Sequence, residues 1–398
     1  MNKSMYKDCE IGSIPTNWNI QKLEELANVT GGKRLPKGSS LSEINNGHPY
    51  IRVSDMNDKG IQLDSMLYVP YDVVEQISRY RVDKDDIYIS VTGTLGLVGK
   101  VPDELNGANL TENADRISNI RCNTDFLLYC LKSDFIKKII NSEMTTNAQP
   151  KLALTRIKQF PIPVPPLKEQ QKIVEILSSV DAAIKKTEQV IAKTEEVKKR
   201  LMQQLLTKGI GHTEFKDSKL GKIPLKWEIK QLKDLLEIKY GKDQKYIVCK
   251  DGKYNILGTG GIIGKTNSYL YDKPSVLIGR KGTINQPMYI EEPFWTIDTL
   301  FYTVINPNNL EKWIYYAISN INLMKYNEAT GVPSLSVNNL NTIKFAVPPY
   351  DEQVKIVNVL DSTEQKIQSE NLKLNRLMIL KQGLMQQLLT GQVRVKVY

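Results

Sequence analysis

Three glycine-rich stretches are the first places to look for chemistry in this chain of 398 residues. GTGGIIGKT at 258–266 falls one residue short of a phosphate loop, because the pattern G-x-x-x-x-G-K-[ST] needs glycine where Thr259 stands. TGTLGLVGKV at 92–101 fails in the same way at Thr94, and Val101 follows its lysine. A dinucleotide pattern starting at Gly258 meets Ile263 in place of its third glycine. VPPY at 347–350 and VPPL at 164–167 carry valine where a tetrad that holds a target amine would need Asn, Asp or Ser. The four cysteines (Cys9, Cys122, Cys130, Cys249) form no C-x-x-C pair, and only His48 and His212 could join them, so neither a zinc site nor a disulfide framework is expected. No Ser/His/Asp group or pair of carboxylates stands at a useful spacing. The chain is therefore expected to be no enzyme and to bind no cofactor or metal itself. What remains is charge. A formal net charge of +10 makes a polyanion the expected partner, nucleic acid before acidic membrane. Glycine loops that carry lysines read as tight turns whose N–H groups and lysines face a phosphate backbone.

The elements that position these loops are repeated. LMQQLLT occurs at 201–207 and again, unchanged, at 384–390. PPLKEQQKIVEIL at 165–177 aligns with PPYDEQVKIVNVL at 348–360 at the same offset of 183. Upstream, KDCEIGSIPTNWNIQKLEEL at 7–26 aligns with KDSKLGKIPLKWEIKQLKDL at 216–235 at an offset of 209, so copy one carries about 26 more residues in its middle. The ends of the unit match and the middles hardly do, as if a shared frame held two different inserts.

Each unit closes on a long helix. Ile173, Leu177, Val180, Ile184, Thr187, Ile191, Thr194, Val197, Leu201 and Leu205 step mostly by four and three, a heptad-like stripe. Nine of the ten positions 183 residues on fit the same stripe, and Glu370 is the exception. Pro165–Pro166 and Pro348–Pro349 suit the first turns, and Gly209 and Gly391 stand where C-terminal caps belong. A helix of about 41 residues with one apolar stripe needs a partner, and its own copy is the nearest one. The expected fold is a multidomain α/β (α+β) chain: two duplicated modules joined by two long helices in an antiparallel coiled coil. The boundaries expected are 1–164, helix 165–208, 209–347, helix 348–391 and tail 392–398. The tail is expected beside the start of copy one. No apolar leader or 18-residue apolar run occurs, so a cytoplasmic protein off the membrane is expected.

The residues carry a resemblance. Two variable modules, each ended by VPP-x-x-EQ and a helix running to LMQQLLT, resemble the specificity subunit of type I restriction–modification enzymes over essentially the whole chain. GGKRLPKG (31–38) and PYIRVSDM (49–56) are similar to the opening of one target-recognition domain type; LGTGGIIGKTNSYLYDKPSVLIGRKGTI (257–284) and FWTIDTLFY (294–302) are similar to another. The resemblance implies that each module reads half of a split double-stranded DNA site. It implies that the helices set the spacing and dock two modification subunits, which bind S-adenosylmethionine and methylate adenine N6. Restriction subunits using ATP and Mg would join through these. LMQQLLT then recurs because two identical partners dock on one chain. The DNA-contacting residues expected are Lys33, Arg34, Lys37, Arg52, Ser54, Thr92 and Thr94 in copy one. In copy two they are Lys242, Lys245, Thr259, Lys265, Arg280, Lys281, Thr283 and Asn285. Gln170, Lys172, Met202, Gln203, Gln204, Met385, Gln386 and Gln387 are the expected docking residues.

Overall fold

The computed structural model describes residues 5–144 and 151–396. The chain divides into two units that are not consecutive in sequence. One runs to Lys186 and resumes from Leu374, and the other is Thr187–Lys373. Each unit thus takes one module and a part of both long helices.

In the first unit, β1 (Asn19–Lys22) pairs antiparallel with β9 (Pro161–Val164), which ties the start of copy one to the segment before its long helix. The central sheet is antiparallel, in the order β6 (Val98–Lys100), β5 (Ile87–Ser90), β8 (Ala114–Ser118), β2 (Asn28–Gly31). Val29, Ile87, Ile89 and Ile117 are buried in one core with residues of α1 (Thr124–Leu131) and α2 (Asp134–Met144). A smaller sheet sets β3 (Pro49–Ile51) parallel to β7 (Asn109–Leu110), with β4 (Leu67–Tyr68) antiparallel on its other side. Copy one's extra residues fold on a separate cluster of Tyr50, Val69, Val73, Val74 and Ile77.

The second unit repeats this plan. β10 (Glu228–Gln231) pairs with β18 (Lys344–Val347). The central order is β15 (Met288–Ile290), β14 (Ser275–Gly279), β17 (Leu300–Ile305), β11 (Leu236–Tyr240). β12 (Tyr254–Gly258) lies parallel to β16 (Phe294–Thr296), with β13 (Gly261–Thr266) antiparallel beside it. α4 (Glu311–Ser319) buries Trp313, Ile314 and Ala317 in the core. The inserts therefore share one topology, although their sequences hardly align; they differ in their loops and in the extra cluster of copy one.

The long helices are α3 (Leu167–Lys208) and α5 (Tyr350–Leu389). In the first unit Ile173 and Leu177 share a core with Leu388 and Leu389, while Asp181 pairs with Lys381 at 2.6 Å. In the second, Leu205 and Leu206 share a core with Ile356 and Leu360, and Lys198 pairs with Glu364. As α3 advances α5 recedes, so the pair is antiparallel, and the numbers of both ion-paired residues sum to 562. The stripe is not buried throughout: Val197 and its counterpart Leu380 are half exposed. Gly209 and Gly391 end the helices at φ +65° and +68°, the left-handed cap that glycine adopts without strain.

Each helix starts on a like frame of tryptophan and glutamate within its own unit. Glu169 accepts the Trp18 indole N–H at 3.1 Å, and Glu352 accepts that of Trp227 at 2.9 Å. The first carboxylate also holds Arg394 (2.7 and 3.1 Å), and the second holds His212 (2.7 Å). The tail after α5 thus lies against the start of copy one, where Tyr6 also donates to the Gly391 carbonyl. The last two residues of the expected tail lie outside the described residues. Among the described residues no helix is long and apolar enough to cross a membrane.

Candidate nucleic-acid interface

In the first unit, β2 ends at Gly31 opposite Asp115, and β5 ends at Ser90 opposite Ala114. The loops after β2, after β5 and before β8 therefore share one edge of the central sheet. Lys33, Arg34, Thr92 and Thr94 are brought to it, and Thr92 bridges to Lys151. Gly32 lies so close that an added Cβ would sit 2.0 Å from the Thr111 carbonyl oxygen. The loop N–H groups are committed inward: Gly32 donates to Ala114 (3.0 Å), Lys33 to Leu110 (2.8 Å) and Val91 to Asn113 (2.8 Å). These three N–H groups therefore serve the fold, and the side chains beside them face outward for a partner. Arg34 and Lys37 are exposed and line a groove with Tyr50, Arg52, Thr111 and Glu112. Arg52 is already engaged within its own unit. Its Nε and Nη2 hold buried Asp55 (3.0 and 2.5 Å), and Nη2 also reaches the Ser65 carbonyl (2.8 Å). Its guanidinium closes a one-turn helix around Asp55, and Ser54 stays exposed on that turn.

The second unit repeats the edge. β11 ends at Tyr240 opposite Phe301, and β14 ends at Gly279 opposite Leu300. Lys242, Arg280, Lys281 and Thr283 follow those ends, and Thr259 joins them beside Gly282. At Gly241, 209 residues after Gly32, an added Cβ would likewise sit 2.0 Å from the Ile297 carbonyl oxygen. Lys242 N–H donates to Thr296 (2.9 Å), and Gly282 N–H to Pro333 (2.9 Å). Arg280 packs over the Tyr240 ring and donates from Nη1 to the Asp298 carbonyl (3.1 Å). Lys245 and Lys265 are exposed but belong to the other end of the β12–β13 hairpin, where Cys249 N–H meets the Lys265 carbonyl. Asn285 accepts the Leu323 N–H at 2.6 Å, so its carbonyl oxygen serves the fold, in a groove beside Lys198 and Met202.

With two like units presenting different cationic edges, the comparison with known proteins is decisive. A family model described as "Type I restriction modification DNA specificity domain" matches residues 15–196 and 224–378. This chain belongs to that family. It is 25% identical over 419 residues to the type I restriction enzyme MjaVIII specificity subunit of Methanocaldococcus jannaschii, covering 96% of this chain and 94% of that one. It is 24% identical over 384 residues to the EcoprrI specificity subunit of Escherichia coli, covering 91% and 90%. The S subunit of the type I restriction–modification system of M. genitalium shares its fold, with a TM-score of 0.60 at 18% identity over 94% of this chain and 96% of that one.

On the helices of this specificity-domain protein, Gln203, Gln204, Gln386 and Gln387 are exposed at matching positions. Met202 and Met385 are half-buried against the cores of their units. Lys172 pairs with Glu175 at 2.8 Å. Gln170 is corrected: it is 3% exposed, takes the Asn123 N–H (2.9 Å) and donates to the Pro165 carbonyl (2.8 Å). Gln353 does the same with Leu310 and Pro348, so this glutamine pins the helix start and is no surface for a partner. Sequence reasoning missed Glu169, Glu352, Trp18 and Trp227 as a unit. The signal was present, since both the EQ dipeptide and the tryptophan recur in the repeat.

Proposed function

We propose that this chain is the DNA specificity subunit of a type I restriction–modification complex. The cationic loop edge of each unit reads one half of a split site in double-stranded DNA. The paired helices fix the separation, and each of two modification subunits docks beside one copy of LMQQLLT. The observation that carries this reading is the pair of like-folded units with unlike loops. A shared topology suits identical partners, and different side chains at the edge suit an asymmetric, non-palindromic sequence. The exposed glutamine pairs, repeated 183 residues apart, support equivalent docking. The names of the relatives, specificity subunits all, support a non-catalytic role. In this reading the modification subunits carry S-adenosylmethionine and methylate adenine N6 after the base leaves the stack, and restriction subunits supply ATP- and Mg-dependent cleavage.

The test is a map of N6-methyladenine in a host with and without this gene, with the cognate modification subunit supplied. Two short half-sites around an unspecified spacer, lost with the gene, are expected. Absence of any gene-dependent motif, with the partner expressed and bound, would refute the reading.

A further inference from the structure

Arginines of the first unit differ in what their guanidinium groups have left to offer. Arg116 spends Nη1 on the Arg81 carbonyl (2.7 Å) and Nη2 on Asp83 (2.5 Å), and Arg52 is committed to Asp55. Arg34 is held only at its inner nitrogen: Nε donates to Glu112 Oε1 at 2.5 Å. Among the described residues Nη1 and Nη2 have no other hydrogen-bond partner. Glu112 is itself anchored, since its second oxygen accepts the Thr111 hydroxyl at 3.1 Å. Its side chain is 29% exposed, against 78% for Arg34. The loop before β8 thus grips the guanidinium from within and leaves two parallel donors outside.

Two donors in that fork match the O6 and N7 acceptors of guanine in the major groove. A phosphate fits the spot less well, because the Glu112 carboxylate would face a second anion across the guanidinium. Lys33 and Lys37, exposed on the same loop, suit phosphates as point charges. We infer that Arg34 reads a guanine in the half-site of the first unit, and that Glu112 is the positioning residue that fixes its guanidinium. The inference rests on the reading of the chain as a DNA specificity subunit.

The experiment uses the full chain bound to its modification subunit. Methylation rates are measured on duplexes carrying the mapped site, with each base pair of both half-sites replaced in turn, for wild type, Arg34→Gln, Arg34→Lys and Glu112→Gln. All three variants are expected to lose about ten-fold or more discrimination at one and the same G·C pair, with the other half-site and the salt dependence unchanged. Unaltered discrimination at every position in the Arg34 variants overturns the inference. So does uniform weakening on all sequences with a shallower salt slope, the signature of a phosphate contact. If Glu112→Gln acts at a different pair from Arg34→Gln, the positioning role fails. A wild-type complex that methylates no split site sinks the underlying reading as well, whereas a normal wild type with silent variants sinks only this inference.

Discussion

Gly241 has no room for a side chain, because the turn before β17 presses the Ile297 and Thr296 carbonyls to 2.0 and 2.6 Å of any Cβ. These are backbone atoms that cannot swing aside. Gly241→Ala is expected to cost about 1–3 kcal/mol, seen as a lower thermal midpoint, and an unchanged midpoint would mean the turn yields freely. Asp115 makes a second case at this scale. It is buried on β8, its Oδ2 has no hydrogen-bond partner among the described residues, and burial pushes its carboxyl up to about 6 against the pull of Lys151. The unfolded carboxyl titrates near 4, so folding favours the protonated form. Its contribution is therefore fully present below about pH 4 and is lost as pH rises through 6. Asp115→Asn is expected to stabilise the chain by on the order of 1–2 kcal/mol at pH 7.5 and by almost nothing at pH 4, read from urea unfolding at both. Equal effects at the two pH values would refute it. Neither Asp115 nor Glu112 was legible in the sequence as part of the site. Their neighbours Gly31 and Arg34 stand about 80 positions upstream, and only the register of β2 against β8 joins them. The cationic loop residues were legible by type, whereas Arg52 was not readable as structural until Asp55 was seen beneath it.

The long helices were the most legible elements, because a stripe sustained over ten positions and repeated 183 residues later marks two long helices that each need a partner. The sheets were not. The β-branched runs of β5 (IYIS) and β14 (SVLIG) mark strands, but every residue in them is buried, so neither shows the alternation that would give its face, and their common position in the two units emerges only from the pairing. Gln170 misled for a related reason: a glutamine in a helix reads as surface, yet both ends of its amide satisfy backbone groups at the helix entry. The frame around Glu169 gives the prediction for this scale. Its carboxylate is buried, and Arg394 supplies the cation from a half-exposed side chain. Among the described residues Arg394→Ala leaves that charge with only the Trp18 N–H, and the change is expected to cost about 1–3 kcal/mol. Hydrogen exchange should speed up at the first turns of α3 and around Trp18, while the Glu352–His212–Trp227 frame stays protected. Unchanged exchange at α3 would show that the tail contributes nothing to holding the helix start.

For the whole molecule, the two helices matter as a matched pair. The ion-paired positions sum to 562 in each unit, so a deletion of 183–189 from α3 is matched in number by a deletion of 373–379 from α5. Seven residues are two turns, which keeps the apolar stripe in phase, so deleting both segments together removes about 10 Å of rise and leaves each unit's packing intact. If the helices set the separation between half-sites, the double deletion shortens the unspecified spacer by about 3 base pairs, at 3.4 Å each, and leaves the bases of both half-sites as they were. Deleting only 183–189 instead sets one helix against the wrong register of the other. It is expected to destabilise the chain and not merely shift the spacer, since Lys198 and Leu205 would then face positions seven residues out of place on α5. The methylation map separates the cases. A shortened spacer in the double deletion with unchanged half-sites assigns the ruler to the helices. A spacer of the original length, from a chain shown to be folded and bound to its modification subunit, would mean that the partners and not this chain measure the distance along the DNA.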